Sequence, residues 1–153
     1  MKLFFLFVLV MTFTSNYAQS KQDIFEYLKI RIEEFSSNKK PELTLNGCNI
    51  KYRYGMTLPG NSPWTQEHSF SLSAIAEIFY VNEGGKSIIV LKFKSDDDIV
   101  TDIEQNGSRD FVETKKSLPF ILYGSGVSVA EGKKMVALFK KLAKTCGAKF
   151  IEL

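Results

Sequence analysis

The segment Ser128 to Cys146 constrains the fold most, because it is an amphipathic helix with both ends specified that follows a long succession of short strand-like runs. Ser128 and Glu131 form an S-x-x-E capping box, and Gly147 stands where a left-handed residue ends a helix. At about 100° per residue, Met135, Val136, Leu138, Phe139, Leu142, Ala143 and Cys146 share one arc, with Lys133, Lys134, Lys140, Lys141 and Lys144 opposite. The apolar arc needs a core, and the strands upstream are its available partner.

Those strands are read from alternation and turn chemistry. Leu43 and Leu45 alternate before Asn46-Gly47, and Cys48, Ile50, Tyr52 and Tyr54 then share a face. A loop from Gly55 to Glu67 carries Pro59-Gly60, Asn61-Ser62-Pro63 and the only tryptophan, Trp64. Further strands are expected at 68–73, 75–81, 86–94, 99–104, 109–116 and 120–123, with hairpin turns at 82–85 and 105–108. A helix from Lys21 to Ser36 precedes them, with Ile24, Tyr27, Leu28, Ile32 and Phe35 on one side. Arg31 intrudes there, its stem suited to apolar surface and its head to water or a carboxylate. The expectation is an α+β fold: about seven antiparallel strands in a barrel or strongly bent sheet, a capping C-terminal helix and an extra N-terminal helix.

Met1 to Ser20 reads as an export signal, with Lys2 at its positive end, an apolar core from Leu3 to Phe13 and a cleavage site at Asn16-Tyr17-Ala18. The apolar run is shorter than the roughly 20 residues that span a bilayer. The expected organisation is a cleaved signal peptide, 1–18, and one soluble domain, 19–153, periplasmic or extracellular. Loss of Lys2 takes one from the 20 Lys and Arg that face 17 Asp and Glu, leaving a weakly basic chain whose overall charge selects no partner. Cys48 and Cys146 both lie in the exported part. They form either a disulfide, closing a loop worth roughly 4.7 kcal/mol by chain entropy, or two buried thiols; the Cα separation decides.

The front helix, Phe70-Ser71-Leu72-Ser73, the run from Ser87 to Phe93, and Ala137-Leu138-Phe139-Lys140-Lys141-Leu142 through Cys146-Gly147 resemble small exported bacterial proteins of the pleckstrin-homology-like superfold. Those proteins have no assigned role; the leading expectation for this chain is a non-enzymatic binding or interaction module, with a binder of anionic membrane surfaces as the alternative and an enzyme third. Many pleckstrin-homology domains hold phosphoinositides through basic residues on the first two strands. Lys51 and Arg53 match the first part of that pattern, but His68-Ser69-Phe70 stands where the second belongs, so the pattern is broken.

Other chemistries are weighed from residue types. Lys133, Lys134, Lys140, Lys141 and Lys144 offer contact with an anionic surface, at about 1 kcal/mol per basic residue, against the plainer role of a solubilising face. Their face carries no aromatics for base stacking, which argues against nucleic acid. Gly124-Ser125-Gly126 before a helix lacks the glycine and lysine pattern of a phosphate loop, and Glu131 would repel the anion. Asp96, Asp97 and Asp98, with Asp102 and Glu104, fit no calcium loop and read as a solvated turn; one His and two Cys make no ordinary zinc site. His68 is the only imidazole, with no G-x-S-x-G nearby, and reads as a polar strand-end residue. Asn106-Gly107-Ser108 reads as a tight turn. No catalytic, cofactor or metal residue is assigned. Trp64 is the candidate partner contact, against folding back over the core.

Overall fold

The computed structural model describes residues 21–56, 63–105, 108–122 and 127–150. The expected signal peptide, residues 57–62 of the expected Gly55–Glu67 loop, the Asn106-Gly107 step and Gly124-Ser125-Gly126 lie outside them, and Gly55, Met56 and Trp64 to Glu67 are strand rather than loop. Helix α1 covers 21–35 and helix α2 Val129–Thr145. Between them the described residues form eight strands: β1 Lys39–Asn46, β2 Asn49–Met56, β3 Trp64–Ser71, β4 Ile75–Glu83, β5 Lys86–Phe93, β6 Ile99–Gln105, β7 Ser108–Lys115 and β8 Ser117–Leu122.

The strands form two antiparallel sheets, of order β1-β2-β3-β6-β7 and β4-β5-β8, so the class is α+β. Local hairpins account for β1-β2, β4-β5 and β6-β7, and the turn at Gly84 and Gly85 uses positive φ at both residues (59° and 75°), as a two-residue hairpin demands. The β3-β6 and β5-β8 pairings join strands distant in sequence. The chain changes sheets after β3 through a single 3-10 turn, Leu72–Ala74, after β5 through another, Asp96–Asp98, and after β7 at Lys116. In the second, Ser95 Oγ accepts from the Asp97 amide and the Asp98 carboxylate accepts from the Ser95 amide at 2.7 Å. The aspartate run is thus partly explained as a cap.

Both sheets turn alternate residues inward. Ile50, Tyr52, Phe70 and Ile99 from the larger sheet meet Ile89, Leu91, Phe93, Leu118 and Phe120 from the smaller one. Phe120 joins three elements, edge-on to Tyr52 of β2 at 4.9 Å and stacked on Phe139 of α2 at 5.8 Å. Helix α2 buries Met135, Phe139, Leu142 and Ala143 against β4 and β5. Ser128 caps it by accepting from the Glu131 amide at 3.1 Å, and Gly147 ends it at φ 85°. The Glu131 carboxylate instead serves a tie between helices, accepting from the Tyr27 hydroxyl and pairing with Arg31 Nε at 3.1 Å. Arg31 therefore reaches a carboxylate across helices.

Candidate interaction surfaces

Three surfaces and one covalent corner carry the chemistry-bearing side chains. The first surface is the outer face of the smaller sheet. Strands β4 and β5 read Ile78-Phe79-Tyr80-Val81 and Ile88-Ile89-Val90-Leu91, so both faces are apolar and alternation fails. Ile78, Ile89 and Leu91 are buried, while Phe79, Val81, Ile88, Val90 and, on β8, Ile121 remain partly exposed on the opposite face. Register makes these last residues neighbours: Phe79 opposes Val90, Val81 opposes Ile88, and Ile88 opposes Ile121. Lys92 borders the patch, its ammonium 5.0 Å from the Phe79 ring centroid and 3.2 Å from Glu77. A contiguous apolar face rimmed by an ion pair is the usual form of a contact surface. Its signal in the sequence is the pair of continuous apolar runs, which no chemical motif marks.

The second is the outer face of the larger sheet, which is ionic. Arg109 Nη2 lies 2.6 Å from both Glu67 and Asp102, Lys51 reaches Glu67 at 3.4 Å, and Arg53 reaches Glu104 at 2.9 Å. Burial alone would raise the Glu67 pKa, but hydrogen bonding and charge from Arg109 and Lys51 hold it below the ordinary carboxylate range. The charges are spent on one another across β2, β3, β6 and β7. Among the described residues, no group of three or more His, Cys, Asp or Glu is placed to hold a metal ion.

The third is the exposed side of α2, where Lys133, Lys134, Lys140, Lys141 and Lys144 all stand in solvent. Lys134 also lies 4.4 Å from the Tyr27 ring centroid. Glu131, the only acid of the helix, is drawn aside to Tyr27 and Arg31. No described helix is long and apolar enough to cross a membrane.

Trp64 and His68 sit differently from the sequence expectation. Trp64 opens β3, paired in register with Met56 and Gln105, and is only partly buried. His68 is not at a strand end: it lies inside β3, 2% exposed, on the inner face between Gln66 and Phe70. Its Nδ1 is 2.9 Å from Thr101 Oγ1 and its Nε2 is 3.0 Å from the Tyr54 hydroxyl. Tyr54 donates to Gln66 Oε1 at 3.0 Å, which commits its single proton. It must then accept from His68 Nε2–H, leaving Nδ1 to accept from Thr101. Tyr52, beside this cluster, is held by Ser36 at 2.9 Å and Asn38 at 3.1 Å. The imidazole and hydroxyls thus pin β2, β3 and β6 together.

The covalent corner joins three elements. Cys48, in the β1-β2 turn, is disulfide-bonded to Cys146, the last residue of the α2 cap, with Cα atoms 5.7 Å apart. Lys21 of α1 anchors its ammonium on Gly47 O at 2.7 Å and lies 3.4 Å from Cys48 Sγ. Sequence distance concealed that lysine, since nothing local ties residue 21 to residue 48.

Compared with known proteins, the chain matches no family model, no curated protein and no solved structure.

Proposed function

We propose that this chain is an exported, non-enzymatic interaction module of pleckstrin-homology-like plan that binds a protein partner through the outer face of its smaller sheet. The carrying observation is the patch Phe79, Val81, Ile88, Val90 and Ile121, apolar where a solvated sheet face would alternate to polar residues. Export is supported by the apolar leader sequence and by the Cys48–Cys146 bond, since such bonds persist in oxidising compartments. The superfold reading is supported by two antiparallel sheets with a closing C-terminal helix. The β3-β6 and β5-β8 pairings depart from a plain meander.

Native mass spectrometry of the protein taken from its own envelope tests the reading. The wild type should carry a partner, and Ile88→Glu with Val90→Lys should release it while circular dichroism stays unchanged. A bare monomer in both preparations sinks the proposal.

The lysine face of α2 favours a second reading, a peripheral binder of anionic membrane surfaces. Vesicles rich in anionic lipid would sediment the wild type and leave a Lys133, Lys140 and Lys144 to Glu triple variant in solution. Equal sedimentation of the two disposes of it.

A further inference from the structure

The covalent corner is chemically lopsided, and the asymmetry concerns the two sulfurs themselves. Cys48 Sγ faces the Lys21 ammonium at 3.4 Å, a neighbour that stabilises a thiolate. Cys146 occupies the C-terminal end of α2, where the aligned peptide dipoles present partial negative charge and disfavour a thiolate. Both influences act in one direction: Cys48 is the better leaving group. Both residues are only partly buried, so the bond is not sealed in the core.

From this geometry we propose that the Cys48–Cys146 bond is a directional thiol–disulfide exchange site for a dithiol partner. The incoming thiolate attacks Cys146 Sγ, forming a mixed disulfide there, and the S–S electron pair leaves on Cys48 as a thiolate held against Lys21. The partner's second thiol, deprotonated, then attacks its own sulfur in the mixed disulfide and releases Cys146 as thiolate. Two electrons pass to the protein, two cysteine thiolates form, and the dithiol becomes a disulfide. In the reverse direction the Lys21-stabilised Cys48 thiolate closes the bond by attacking a mixed disulfide at Cys146. The reaction opens the link between α2 and the β1-β2 turn.

The test uses the whole folded protein. Wild-type protein is exposed briefly to glutathione, acid-quenched, alkylated and mapped by mass spectrometry. Glutathione should be found on Cys146 and the alkyl group on Cys48. Lys21→Met should slow reduction by dithiothreitol on the order of threefold, the effect of a one-unit change in thiol pKa through a Brønsted slope of about one half, and Lys21→Arg should restore the rate. An adduct on Cys48, an even distribution, no exchange at all, or equal rates for wild type and Lys21→Met each overturns the proposal. The mapping needs no variant, so it stands even where Lys21→Met alters folding.

Discussion

Tyr54 does more within the inner polar cluster than its position near the end of β2 suggests. One hydroxyl donates to Gln66 and accepts from His68, so its proton is needed where it is. Burial first, and the nearby Tyr52 second, push its pKa up to about 12, against an ordinary phenol near 10. Below pH about 10 both folded and unfolded chains keep this proton and its contribution to stability is complete. Between about 10 and 12 the unfolded chain releases the proton while the folded chain retains it, so stability falls as pH rises. Urea midpoints measured across that window should decline more steeply for wild type than for Tyr54→Phe; equal slopes would remove Tyr54 as the cause. Alternation placed Tyr52 and Tyr54 on one face correctly. It puts His68 at the start of a strand, whereas β3 begins at Trp64 and carries Gln66, His68 and Phe70 inward in step. Counting backward by twos from Phe70 would have found it.

At the level of elements, α2 crosses β4 closely at Gly132. A Cβ at Gly132 would lie 2.2–2.9 Å from the Tyr80 ring, and that ring has little room to move. Its hydroxyl is 3.0 Å from Ser87 Oγ, which donates in turn to Val127 O at 3.1 Å. Alanine is the better helix former by about 1 kcal/mol, but overpacking costs about 1–3 kcal/mol, so Gly132→Ala should destabilise on balance. A double-mutant cycle separates the terms. With Tyr80→Ala in place the clash disappears, and Gly132→Ala should then stabilise by about 1 kcal/mol in chemical denaturation. Destabilisation in both backgrounds would mean that the glycine serves something other than this crossing. The ends of α2 were legible because caps are local: Ser128 and Gly147 do there what their side chains dictate. Gly132 was not legible, since a close approach depends on what lies across from it. The outer apolar face of β4 and β5 lay between these cases, present as unbroken apolar runs yet meaningful only once one face was known to be buried.

For the molecule as a whole, the decisive events are the three changes of sheet, after β3, after β5 and after β7. They bring β6 beside β3 and β8 beside β5, pairings that hairpin chemistry cannot foretell because turns specify only neighbours in sequence. The same division shows what the disulfide holds. The body of α2 rests on the smaller sheet through Met135, Phe139, Leu142 and Ala143, whereas Cys146 ties its end to the β1-β2 turn of the larger one. Removing the bond should therefore leave the apolar contact of α2 intact and loosen one corner. Replacing Cys48 and Cys146 by Ala should lower stability by up to roughly 4.7 kcal/mol, the chain-entropy value for a loop of about a hundred residues. Hydrogen exchange distinguishes a corner from the whole. Amides of the β1-β2 turn, the first described turn of α1 and the last turn of α2 should lose protection, while β4, β5 and the middle of α2 keep theirs. Even loss of protection throughout would mean that the bond holds the two sheets together, and that the packing of Phe120 between Tyr52 and Phe139 is insufficient to do so alone.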